Sequence, residues 1–164
     1  MAMTAPGTRS SQPIPAGYHT ITPSLVVRGA AEAIAFYIRA FGAEEVSRAA
    51  TPDGSKIMHA EIKIGDSRIM LNDEFPEMQC LSPLTIGNTG SGLHIYVEDV
   101  DAAYKQAVEA GATATVPPTD MFWGDRFGML KDPFGHNWSI ATHQYDLTEE
   151  EMMKGMAEAN CGPS

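Results

Sequence analysis

One order of elements, strand then helix then Gly-Ala then hairpin, occurs twice along this 164-residue chain, and that repeat limits the fold more than any single motif. In the first copy, residues 21–27 read as a strand. Residues 30–41 then place Ile34, Phe36, Tyr37, Ile38 and Phe41 largely on one helical face before Gly42-Ala43. Residues 45–48 form a short strand, Pro52-Asp53-Gly54 a turn, and residues 56–73 a hairpin folded at Gly65-Asp66, a pair suited to a type II′ turn. After a Gly-, Asn-, Thr- and Ser-rich connector the order returns: a strand over 93–97, a helix capped by Asp99, then Gly111-Ala112. Three short strands follow at 113–116, 126–130 and 137–142, punctuated by Pro117-Pro118 and by the tight turn Asp132-Pro133-Phe134-Gly135. The chain therefore predicts an α+β fold of two βαβββ modules with eight strands, and Thr148 with Glu151 predicts a capping box opening one more helix. Residues 1–17 read as a disordered arm, 18–146 as the folded domain with modules at about 18–83 and 92–146, and 147–164 as a C-terminal helix and tail. An apolar stripe of Met152, Met153 and Met156 on that helix suits packing on the body or on a partner chain.

Composition restricts partners. A net charge of -10, with 11 Lys and Arg spread along the chain, disfavours nucleic acid and anionic membrane, which leaves a small molecule or another protein. No apolar run approaches the roughly 18 residues of a membrane span. Two cysteines make no disulfide framework, and the N-terminus lacks the regions of a secretory signal, so the expected location is cytoplasmic.

With Gly65-Asp66 as the hairpin loop, Ile64 opposes Ser67, Ile62 opposes Ile69, Glu61 opposes Met70 and His59 opposes Asn72. Ala60, Ile62, Ile64, Ile69 and Leu71 then share a face for the core, while His59, Glu61, Met70 and Asn72 share the other. That second face is either a solvated surface or the wall of a polar cavity. His94, Tyr96 and Glu98 alternate in the same way in the second module, so each module presents a His and a Glu. Such groups, if convergent, suit a divalent metal or proton transfer, with Glu61 or His59 as base. Trp123, with Phe122 and Phe127, suits either an aromatic wall for a planar ligand or plain packing. Asp125 and Arg126 are expected to pair with each other, and His136 and His143 to lie at the surface or an interface.

The chain resembles the vicinal oxygen chelate superfamily, the fold of glyoxalase I, bleomycin-resistance proteins and extradiol dioxygenases, and in particular its PhnB-like branch. The resemblance is carried by the run from Pro23 to Tyr37 with Phe41-Gly42-Ala43, by His59-Ala60-Glu61 with Ile69-Met70-Leu71, by Leu93 to Val97, by Phe122 to Gly128, and by Asp132-Pro133-Phe134-Gly135 with its strand. It implies paired modules curled into an open eight-stranded, barrel-like sheet around a small-molecule cavity, commonly in a homodimer, with modules exchanged between chains in some relatives. Metal-dependent members use four side chains, typically His, Glu, His and Glu; here those positions fall at about Thr22, at Met70, at His94 and at about Ser139. Only His94 matches, so glyoxalase I chemistry is not expected. The expected function is small-molecule binding of the glyoxalase and bleomycin-resistance type, with His94, Tyr96, Trp123, Met70, Asn72 and Ser139 facing the ligand. The alternative is an enzyme, a lyase, isomerase or oxygenase, with Zn, Ni, Mn or Fe displaced to His59, Glu61 and His94, or a metal-free proton-transfer enzyme.

Overall fold

Alternation of buried and exposed residues sets which side of each strand meets the helices. In the computed structural model, which describes Gly7 and residues 10–160, eight strands form two open four-stranded mixed sheets. The first module runs β1 (Ser24–Val27), α1 (Ala30–Phe41), β2 (Glu44–Ala50), β3 (Ile57–Ile64) and β4 (Ser67–Asp73), with sheet order β1-β4-β3-β2. A short helix, α2 (Pro83–Ile86), lies in the connector. The second module runs β5 (Gly92–Tyr96), α3 (Val100–Ala110), β6 (Thr113–Asp120), β7 (Asp125–Lys131) and β8 (Asn137–His143), with order β5-β8-β7-β6, and α4 (Glu149–Asn160) follows. In each sheet the first strand lies parallel to the last, and the other pairings are antiparallel. No helix among the described residues is long and apolar enough to cross a membrane.

Local chemistry explains most boundaries. Gly42 takes a left-handed φ of 65° and ends α1, its own N–H donating to the Ile38 carbonyl and that of Ala43 to the Tyr37 carbonyl. Asp99 caps α3 by accepting from Ala102 N at 3.0 Å. At α4, Glu151 accepts from Thr148 N at 2.8 Å while Thr148 Oγ accepts from Glu151 N at 3.3 Å, which is the expected capping box. Gly65 turns the β3–β4 hairpin with φ 57°.

Several expectations shift. The first strand starts at Ser24, and Ile21 is 85% exposed; Pro23 can offer its carbonyl to Met70 N at 2.9 Å but has no N–H for a ladder. The edge strand β6 runs on through Pro117-Pro118, where the pairing skips from Val116 to Thr119. The β3–β4 register holds from Ala60–Leu71 to Ile64–Ser67 but includes no His59–Asn72 pair. Beyond Ala60 the Asp73 carboxyl takes Ile57 N at 2.7 Å, while its other oxygen takes the N–H groups of Gly29 and Ala30 at the start of α1.

Both sheets turn their apolar faces toward α1 and α3, and the modules share one core. Phe36, Tyr37 and Phe41 of the first module meet Phe134 and Trp138 of the second, with Phe41 and Trp138 ring centroids 4.5 Å apart. At the centre of this seam lies Asp132. One carboxyl oxygen accepts Tyr37 Oη at 2.8 Å and Trp138 Nε1 at 2.9 Å, and the other accepts Phe134 N and His136 N, each at 2.9 Å. His136 is buried, not at the surface, because its ring bonds the Val26 carbonyl at 3.0 Å. The connector is fixed by Glu74, which accepts from Arg28 at 2.9 Å, Ser82 Oγ at 2.7 Å and Thr85 Oγ1 at 2.6 Å. Hydrogen bonds from Thr85, Ser82 and Arg28 hold its carboxyl down to about 2.

Candidate functional site

Because the inner faces of the sheets are committed to the helices, the half-polar faces point away from the shared core, one per module. On the first, His59 Nε2 lies 3.2 Å from Glu61 Oε1, and Arg68 donates to Glu61 Oε2 at 3.3 Å. The Tyr18 hydroxyl also donates to Glu61 Oε2, and the Arg68 guanidinium sits 4.8 Å above the Tyr18 ring. The Tyr18 bond, with smaller help from His59 and Arg68, holds the Glu61 carboxyl below its ordinary value. A general base at that position needs the reverse shift. Met70 sits opposite Glu61, whereas Asn72 donates to the Asp73 carbonyl at 2.8 Å and to Cys80 Sγ at 3.4 Å.

The second face is built more densely. β5 places His94 beside Ser139 and Tyr96 beside Ala141, and β7 places Phe127 beside Ala141 and Asp125 beside His143. His94 Nδ1 lies 2.7 Å from Ser139 Oγ; its ring stacks on Phe127 and meets the edge of Tyr96 at 4.6 Å. Trp123 packs edge-on against Phe127, with centroids 5.7 Å apart. The buried group under these rings is Asp125, 5% exposed. One of its oxygens accepts from Tyr96 Oη and Trp123 Nε1, each at 3.2 Å, and the other lies 2.7 Å from His143 Nδ1. Asp146 takes the second His143 nitrogen at 3.0 Å. Asp146 and then Asp125 raise the His143 pKa above its ordinary 6.5, and the Asp125 charge raises that of Tyr96.

Asp125 therefore does not pair with Arg126, which points to the opposite side of β7 and binds Asp101 at 2.7 Å and Asp120 at 3.0 Å. His143 is the last residue of β8 and part of the Asp125 cluster. The signal for it was the alternation Ser139, Ala141, His143, legible only if the strand is carried one residue past 142. For Tyr18 there was no such signal, because it precedes any periodic segment.

A cleft of about 1070 Å³ opens where the free edges of β1 and β5 approach, between Leu25, Phe41, Leu93, Ile95 and Trp138. It reaches Arg68 and His94, while His59 and Glu61 lie outside its lining. Within one chain His59 and Glu61 thus stand apart from His94, and no group of three or more His, Cys, Asp or Glu placed to hold a metal occurs among the described residues.

The repeat sharpens the family's metal positions. β1 pairs Ser24 with Met70 as β5 pairs His94 with Ser139, so the counterpart of His94 is Ser24, two residues beyond Thr22. Two hydroxyls, a thioether and one imidazole do not suit Zn, Ni, Mn or Fe, since thioethers favour Cu(I) and alcohols bind weakly. The donor set does not fit the family's metal.

The family model for the Glyoxalase/Bleomycin resistance protein/Dioxygenase superfamily matches residues 17–140. The chain belongs to this vicinal oxygen chelate superfamily. An uncharacterised protein of Mycobacterium bovis is 40% identical over 145 residues, covering 87% of this chain and 95% of its own. Among solved structures, a gene product of Arabidopsis thaliana superposes with a TM-score of 0.61 at 25% identity, covering 76% of this chain and 98% of the other. A PhnB protein of Bacillus cereus superposes with a TM-score of 0.58 at 20% identity, covering 76% and 99%, a likeness of fold alone.

Proposed function

We propose that this superfamily member binds a small molecule against the outer face of its second sheet. The observation that carries the reading is buried Asp125, which fixes Tyr96, Trp123 and His143 at once beside the His94–Ser139 pair. Ligand sites combine apolar and aromatic walls with a few fixed polar groups, and this face has both. A planar aromatic molecule suits the Tyr96, Trp123 and Phe127 rings, and a positive charge on it suits Asp125 with the acidic chain as a whole.

The working form is a homodimer in which the first sheet of one subunit closes over the second sheet of the other. In support, Tyr96 is 64% exposed, and Met152, Met153 and Met156 are 39%, 67% and 52% exposed, because α4 approaches the body through Gly155, which lies against Phe122. The cavity of such a dimer gathers His59 and Glu61 with His94 from two chains. The expected location is the cytoplasm.

A second reading is metal-free proton transfer: buried Asp125 orients His143 through Nδ1, and Nε2 acts as the acid–base group once it leaves exposed Asp146. It moves the acid–base role from Glu61 or His59 to His143. A thermal-shift screen with neutral and cationic aromatic compounds, followed by recovery of each stabilising compound after incubation with an equal amount of protein, tests both. Recovery unchanged is expected for a sequestering protein, and a converted product for the enzyme. No stabilisation by any aromatic compound contradicts the binding role.

A further inference from the structure

We infer that the outer face of the first sheet carries a subsite for a neutral phenol, and that the chain's own Tyr18 occupies it. The Tyr18 ring is recognised in the way such a ligand would be. Its hydroxyl donates to the Glu61 carboxylate, the Arg68 guanidinium covers its face at 4.8 Å, and His59 at 3.2 Å from the other carboxylate oxygen fixes the acceptor. The receiving groups belong to the rigid β3–β4 hairpin, where Glu61 sits opposite Met70 and Lys63 opposite Arg68.

The segment that delivers the ring is tied far less firmly. Tyr18 N bonds the Pro15 carbonyl at 3.2 Å within the same segment, and the next backbone bond to the sheet is the one from Met70 N to the Pro23 carbonyl. Tyr18 is thus held on the sheet by its side chain, and a competing molecule that reproduces the ring and hydroxyl can displace it without breaking a strand ladder. The charge pattern sets the class. Glu61 is an ionised acceptor, so it takes a neutral hydroxyl and repels a phenolate or a carboxylate in the same place. The subsite rests on the proposed small-molecule role for its biological meaning, while its existence is tested separately on the opposite module from Trp123.

The test uses p-cresol, the side chain of tyrosine as a free molecule, titrated into the full-length wild type and into Tyr18→Ala by calorimetry, with toluene as control. A tethered occupant competes at an effective concentration in the millimolar range, so Tyr18→Ala is expected to bind p-cresol about tenfold more tightly than wild type. Toluene should gain no affinity from Tyr18→Ala. Tyr18→Phe, which keeps the ring over Arg68 but loses the hydroxyl, should fall between the two, and adding Glu61→Gln to Tyr18→Ala should remove the gain. Equal p-cresol affinity in wild type and Tyr18→Ala, or an equal gain for toluene, overturns the inference. Repeating the titrations in an Asp125→Ala background, which removes the Trp123 site, lets the subsite and the second-sheet reading fail separately.

Discussion

Asp132→Ala should destabilise the protein by about 3–4 kcal/mol, a large effect for one side chain, because it strands several buried donors together. Tyr37 Oη and Trp138 Nε1 lose their shared acceptor inside a core where their residues are 0% and 1% exposed. Phe134 N and His136 N lose theirs in the turn that starts β8. Since Tyr37 belongs to the first module and the rest to the second, the change loosens the seam between modules as well as the turn. Denaturant unfolding of wild type, Asp132→Ala and Asp53→Ala checks this. Asp53 accepts from Thr51 and Ser55 in an exposed turn, so its loss should cost far less. A similarly small loss for Asp132→Ala would show that the seam is held by ring packing alone.

Asp125→Ala has the larger consequence for function. Removing this carboxyl frees Tyr96, Trp123 and His143 together, and affinity for an aromatic ligand should fall between about tenfold and a hundredfold, the equivalent of about 1.4–2.7 kcal/mol. His94→Ala should cost less, since it leaves the Asp125 cluster intact. A pH signature accompanies the change. The folded pKa of His143 is raised, so its interaction with the two carboxylates stabilises the fold fully below 6.5 and fades as pH rises through the raised value. The stability gap between wild type and Asp125→Ala should therefore be widest in mild acid and narrow toward alkaline pH. A gap independent of pH would mean that His143 is not charged against Asp125.

The repeated order of elements was legible because each part has a local cause: helix periodicity in residues 30–41 and 100–110, left-handed Gly42, the Asp99 cap, and the Gly65-Asp66 turn. Both faces of the first hairpin followed from counting residues outward from that turn. The failures arose where a side chain, not a ladder partner, decided the geometry. The Asp73 side chain takes the Ile57 N–H, and the ladder pairing ends at Ala60–Leu71, one position short of His59 and Asn72. Asp125 was matched with its sequence neighbour Arg126, although adjacent residues of a strand point to opposite faces, and its partners come from β5, the loop before β7 and the end of β8. Glu61 is expected to serve as a base, but Tyr18, from a segment without periodicity, supplies the bond that shifts its carboxyl downward.

The chain's two tryptophans give the most direct test of the second-sheet site, since the indole N–H of Trp123 reports on Asp125 and that of Trp138 on the buried Asp132. In ¹⁵N-labelled wild type, titration with an aromatic compound that raises the melting temperature should move the Trp123 indole signal and leave that of Trp138 in place, and Asp125→Ala should abolish the movement. A stabilising compound that shifts only the Trp138 signal, or that shifts Trp123 equally in Asp125→Ala, would contradict binding at this face.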